Sequence, residues 1–113
     1  MTIFSIAPVS EQPEDRIIHW SIREVLISSE PEKTHHLVGY ISWQCCGRVT
    51  SKIQAFDRSK LLVKTDSGRI YSLQGVPGSH PDAEYVWRRW KAINDAQDEI
   101  DVTNHYCHSN QNT

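Results

Sequence analysis

The chain has 113 residues, with 12 Lys and Arg against 14 Asp and Glu and a formal net charge of −2, so it lacks the basic excess of a dedicated nucleic-acid binder. Apolar residues make up 38% and charged residues 23%, a composition that suits one globular domain with a core closed without obligatory disulfides or metal. The three cysteines, with Cys45 and Cys46 adjacent, form no disulfide framework and fit a reducing, cytoplasmic setting, and no stretch reaches the ~20 apolar residues of a membrane span.

The opening MTIFSIAPVS lacks the positive segment and apolar run of a secretory signal. Residues 1–16 carry Pro8, Pro13 and an acidic cluster of Glu11, Glu14 and Asp15, and read as an extended arm in which MTIFSI adds at most a short strand. From residue 17 the period becomes two. IIHWSIREVLIS puts Ile18, Trp20, Ile22 and Leu26 on one face and Ile17, Val25 and Ile27 on the other, the mark of a strand. SSEPEKT is a loop around Pro31. HLVGYISWQC sets Leu37, Ile41, Trp43 and Cys45 against Val38 and Tyr40, with Gly39 marking a bulge or bend. GRVTSKIQAF alternates Val49, Ser51, Ile53 and Ala55 against Arg48, Thr50, Lys52 and Gln54. LLVKT and RIYSL flank the tight turn DSG, where Gly68 supplies a positive φ. Five strands with short links make an antiparallel meander.

QGVPGSHP ends the alternation. Ser79 is the expected helix N-cap, with Asp82 at the capping-box position and Pro81 in the first turn. Ala83, Val86, Trp87, Trp90 and Ile93 then share one helical stripe. An apolar sheet face must be covered, and this helix is the candidate cover, so both tryptophans read as packing. Ile100 and Val102 anchor a short element after the helix. The polar end NHYCHSNQNT reads as a tail.

The predicted fold is therefore α+β: a bent antiparallel sheet of five to six strands, or a partly open small β-barrel, packed by one helix in the C-terminal half. As one domain over 1–113, it divides into an arm (1–16), a β meander (17–75), a helix (79–95) and a flexible tail (105–113).

Catalytic motifs are missing: no Gly-rich phosphate loop, no nucleophile elbow, and carboxylates over 95–101 that cluster as a charge run rather than as a pair in unlike environments. His105, Cys107, His108, Cys45 and Cys46 are zinc-ligand types without zinc spacing, so no metal or cofactor is expected. On the helix, Tyr85, Arg88 and Arg89 lie away from the apolar stripe and are residue types enriched at interface hot spots. The leading expectation is a non-enzymatic module that binds another protein there, with an exposed edge strand as a route to a homodimer. The alternative is single-stranded nucleic-acid binding, with Arg48, Lys52 and Lys64 sharing the polar sheet face and Tyr71 or Tyr40 stacking on bases. A third reading, a small metalloprotein or enzyme, would use Cys45, Cys46 or the HYCH segment.

The run SGRIYSLQGVPG followed by DAEYVWRRWKAIN resembles a pattern in small uncharacterised bacterial proteins borne by phage and other mobile elements. It spans roughly the second half of the chain. The resemblance implies a bacterial or phage cytosolic setting and a role as an inhibitor or adaptor of host machinery. It assigns no functional residues.

Overall fold

The computed structural model describes residues 5–6, 13 and 15–107. In chain order the elements are β1 (Ser5–Ile6), β2 (Asp15–Leu26), β3 (Thr34–Ile41), a 3-10 turn (Ser42–Gln44), β4 (Cys46–Asp57), β5 (Leu62–Thr65), β6 (Ile70–Leu73), α1 (Pro81–Ile93), β7 (Gln97–Asp101) and α2 (Thr103–Cys107).

The strands from β2 to β6 pair in sequence, each antiparallel to the next. β6 then returns to β2, with Asp15 opposite Tyr71 and Ile17 opposite Leu73, in parallel. The result is a ring of five strands in an α+β fold. Strands of a meander alternate in direction, so the first and fifth point the same way and the ring closes only through a parallel pair. β1 adds a second parallel pairing, on β4. The expectation of a wholly antiparallel sheet is corrected at these two places. β7 pairs antiparallel with the second half of β2.

Strict alternation also fails, for a local reason. Ile18 faces Tyr40 but Ser21 faces Val38, so β2 holds one extra residue. His19 takes a left-handed conformation (φ 50) at that point, one of the ways a strand takes up an extra residue in a β-bulge. The bulge shifts the phase, so Ile17, Trp20 and Ile22 all enter the ring core, whereas the sequence pattern separates Ile17 from the other two. Similar shifts fall in β4: Val49 packs outside the ring, while Ile53 and Phe56 point in. Gly39 faces the narrow interior, where a Cβ would lie 2.7 Å from the Ile17 side chain.

The molecule has two main apolar cores. One fills the ring and is closed at one mouth by α2, whose Tyr106, 0% exposed, packs edge-on against Phe56. Val102 precedes it and joins Ile22 through its backbone N–H. Residues 105–107 thus belong to a helix rather than to a loose tail; the remainder of the expected tail lies outside the described residues. The other core lies between the outer face of the sheet and α1, with Val25, Ile27 and Val38 against Ala83 and Trp87. Here α1 approaches so closely that a Cβ on Gly47 would meet the Asp82 carbonyl at 2.5 Å.

α1 begins one residue later than its expected cap. His80 occupies the N-cap and its Nδ1 accepts from the Asp82 N–H. Trp87 is buried and stacks on the half-buried Trp90 at 5.2 Å. The Trp87 indole N–H has no hydrogen-bond partner among the described residues, a cost outweighed by the large area the indole buries. Ile93, expected in the stripe, is 76% exposed, because α1 ends there and the chain turns away at Asp95 (φ 52). Arg23 reaches from β2 to grip Glu84 with both terminal guanidinium nitrogens, and this fork holds the Glu84 carboxyl below its usual pKa. At 8% exposed, Arg23 is a buried charge that survives because it is paired.

His36 on β3 is also buried. Its Nδ1–H donates to the Thr50 carbonyl at 2.9 Å, and the Thr34 hydroxyl bonds Nε2 at 2.7 Å. Burial lowers its pKa from 6.5 to about 4, only partly opposed by the Thr50 carbonyl.

Two outcomes follow for stability. Trp87→Ala is expected to cost about 3–5 kcal/mol in urea unfolding, and Trp90→Ala clearly less, since Trp90 is half in water. Because unfolded His36 takes up a proton near its ordinary value while the folded form resists it until about 4, stability is complete above about pH 6.5 and falls as the solution is acidified toward 4, by up to about 3 kcal/mol. Urea titrations at about pH 7 and about pH 4.5 check this, and His36→Gln should remove that part of the slope.

Candidate functional site

The second mouth of the ring carries the most organised polar cluster. β3 leaves the ring at Ile41 and passes into the 3-10 turn. Cys45 closes that turn in the left-handed region (φ 53, ψ 43), with its N–H bonded to the Ser42 carbonyl. This reversal lets Cys46 pair back with Ile41. It also lifts Trp43 out of the sheet, to 68% exposed, although the alternation sets it on one face with Leu37 and Ile41, both of which are buried.

Trp43 is exposed but not loose. Its Nε1–H donates to Asp15 Oδ1 at 3.2 Å. The Asp15 side chain is only 3% exposed, and its other oxygen accepts from Arg69 Nη1 at 3.3 Å, with Arg48 Nη1 at 3.7 Å. Arg48 is fixed in turn, donating to the Tyr71 hydroxyl at 3.1 Å and to Gln44 Oε1 at 2.7 Å. Desolvation works against its charge, but Tyr71 and Asp15 outweigh it and its pKa stands above the usual guanidinium value. The parallel register opposite Tyr71 brings Asp15, expected in an extended arm, into this cluster as the first residue of β2. Pro13, Asp15, Arg16, Ser42 and Trp43 line a cleft of about 270 Å³. Arg16 is exposed there and has neither an ion pair nor a hydrogen bond among the described residues. Beside the turn, Tyr40 stacks on His80 with centroids 3.9 Å apart, and His19 lies 5.8 Å from His80.

The expected partner surface is on α1. Tyr85 is 54% exposed, and the Arg89 guanidinium lies 5.9 Å over its ring. Arg88 is exposed one turn on. This group does stand together on the outward face of the helix.

The residues of the nucleic-acid alternative do not share a face. Tyr71 is 3% exposed, its ring in the ring core, and presents no stacking surface. Arg48 points into the mouth, whereas Lys52 lies outside beside α1, 3.3 Å from Glu30. Lys64 belongs to β5 and pairs with Ala55 and Ile70. The bulges in β4 break the alternation that had aligned them.

For the metal reading, no group of three or more His, Cys, Asp or Glu is placed to hold an ion among the described residues. Cys45 is an exposed free thiol, and Cys46 is half-buried against the ring core. His108 lies outside the described residues.

One cluster was not anticipated at all. His35 Nε2 lies 3.1 Å from Glu24 Oε2, and its Nδ1 is hydrogen-bonded to the Tyr106 hydroxyl. Burial lowers the His35 pKa, against the pull of Glu24, and raises that of the Tyr106 phenol. The atoms are those of an acid–base relay, but Tyr106 is fully buried and a substrate has no approach to it, so the cluster works as a plug. Residues 24, 35 and 106 meet only in the fold, and no spacing in the sequence signals them.

No protein family, curated protein or solved structure matches the chain. No helix among the described residues is long and apolar enough to cross a membrane.

Asp15 and Trp43 should separate cleanly in unfolding experiments. Asp15→Ala removes the buried carboxylate that Trp43, Arg48 and Arg69 share and is expected to cost about 2–3 kcal/mol, less than a fully buried pair because Arg69 is half in water. Trp43→Ala should cost no more than about 1 kcal/mol. Urea midpoints of the two variants test the order.

Proposed function

We propose that this protein is a non-enzymatic binding module that docks another protein, in the manner of an inhibitor or adaptor. One observation carries the reading: a largely exposed tryptophan, Trp43, is pinned by its indole N–H to a buried carboxylate that two arginines hold in place. An exposed indole has an energetic cost in water, and loss of side-chain freedom on binding usually adds another. Here much of that freedom is already gone, so the ring is preorganised as an anchor. Trp and Arg are also the residues that dominate interface energetics. The α1 face with Tyr85, Arg88 and Arg89 is the competing docking surface within the same function.

A homodimer through β7 is disfavoured by charge. That strand is exposed along its whole length and carries Asp98, Glu99 and Asp101, so pairing with its twin would bring like charges together.

The deciding experiment is capture of partners from the source cell, identified by mass spectrometry, with wild type, Trp43→Ala and the Arg88→Ala/Arg89→Ala double variant. The expected result is a partner lost with Trp43→Ala, whose unfolding curve stays near wild type, and retained by the double variant. Loss in the double variant alone would move the site to α1. A set of bound proteins identical in all three would defeat the docking reading.

A further inference from the structure

We infer that the element received at the Trp43 mouth is an acidic segment of the partner protein; the inference rests on the docking reading above and concerns its chemistry. The described mouth holds three guanidiniums, those of Arg16, Arg48 and Arg69, and one carboxylate, Asp15. Both oxygens of that carboxylate are occupied, one by Trp43 and the other by the arginines. Arg16 is unspent: it is exposed, lines the cleft beside the indole and has no acidic neighbour bonded to it among the described residues. The chain as a whole is net negative, whereas the described side chains of this mouth are net positive. Such local reversal orients an incoming anion and suppresses cationic partners.

Size narrows the class. A cleft of about 270 Å³ falls below the ~300–1,000 Å³ typical of small-molecule sites and suits one or two protruding side chains. A glutamate or aspartate on Arg16 gains a two-pronged, charge-assisted contact, while an apolar neighbour covers the indole face. A nucleic-acid strand would bring phosphates to the same arginines, but strand binding uses successive stacking rings, and the nearby Tyr71 is buried.

The test uses the full chain and four fluorescent probes: a peptide alternating glutamate with leucine, its glutamine and lysine counterparts, and an oligothymidylate. Binding is read by anisotropy, and the Trp43 indole N–H is followed by NMR after assignment with Trp43→Phe. The glutamate peptide should bind and shift that signal, weaken with added salt, and lose at least about tenfold in affinity with Arg16→Glu, a change at an exposed side chain with no bond among the described residues, the variant's fold being verified by its melting curve. The glutamine and lysine peptides should not bind. Binding of the oligothymidylate alone, of no probe, or of the glutamate peptide regardless of Arg16→Glu would overturn the inference. The capture experiment with Arg16→Glu added separates the two levels. A partner lost with Trp43→Ala but kept with Arg16→Glu leaves the docking reading standing and removes the acidic one, whereas a partner kept with Trp43→Ala removes docking at this mouth.

Discussion

The parallel pairing of residues 15–17 with residues 71–73 is the constraint on which the rest of the molecule depends. It turns a meander into a ring and so creates an interior to fill. It also sets Asp15 beside Tyr71 at the mouth, where a bare carboxylate would be costly to bury. Arg48 on β4 and Arg69 in the turn before β6 answer that cost, and Asp15 then has an oxygen to offer the Trp43 indole. The pose of the exposed tryptophan is therefore a consequence of ring closure and not a property of its own turn.

Two ionic clusters among the described residues obey the same rule with different results. Arg23, Glu84 and Glu99 lie between β2, α1 and β7, where the charges fasten one layer to another. Trp87 packs against the Arg23 guanidinium at 5.4 Å and is wholly inside. Asp15, Arg48 and Arg69 lie at an open end, and the tryptophan they restrain is outside. Pairing makes each buried charge tolerable; position decides whether the associated indole is core or surface.

The sequence makes much of this fold legible, and what it hides has physical causes. Period-two runs locate β2 to β6 within a few residues, and the Gly68 turn (φ 90) and the α1 stripe around Ala83 and Trp87 stand where the pattern puts them. Facing is where the pattern fails. A single extra residue at His19 reverses the phase of half of β2, and an inserted residue has no compositional mark when it is not glycine. Alternation carried through the turn puts Trp43 on one face with Leu37 and Ile41, but Cys45 ends that turn in a left-handed conformation and the shared face is lost. Asp15 reads as part of a charged arm because its partners lie far along the chain. Tyr106 reads as tail because a polar segment hides one aromatic residue. The α1 surface of Tyr85, Arg88 and Arg89 was visible because helical spacing is local; the Trp43 mouth was not, because it is assembled from four separate segments.

The plug formed by Val102 and Tyr106 bears on the order of folding. Until this stretch arrives, the ring has an unfilled end, and Ile22 lacks the backbone contact that Val102 supplies. Both closures, residue 15 with 71 and residue 22 with 102, join positions distant along the chain, and such topologies fold slowly because loop entropy is surrendered before the contacts repay it. A growing polypeptide of this sequence would hold its aromatic interior open until the last turn of helix was made.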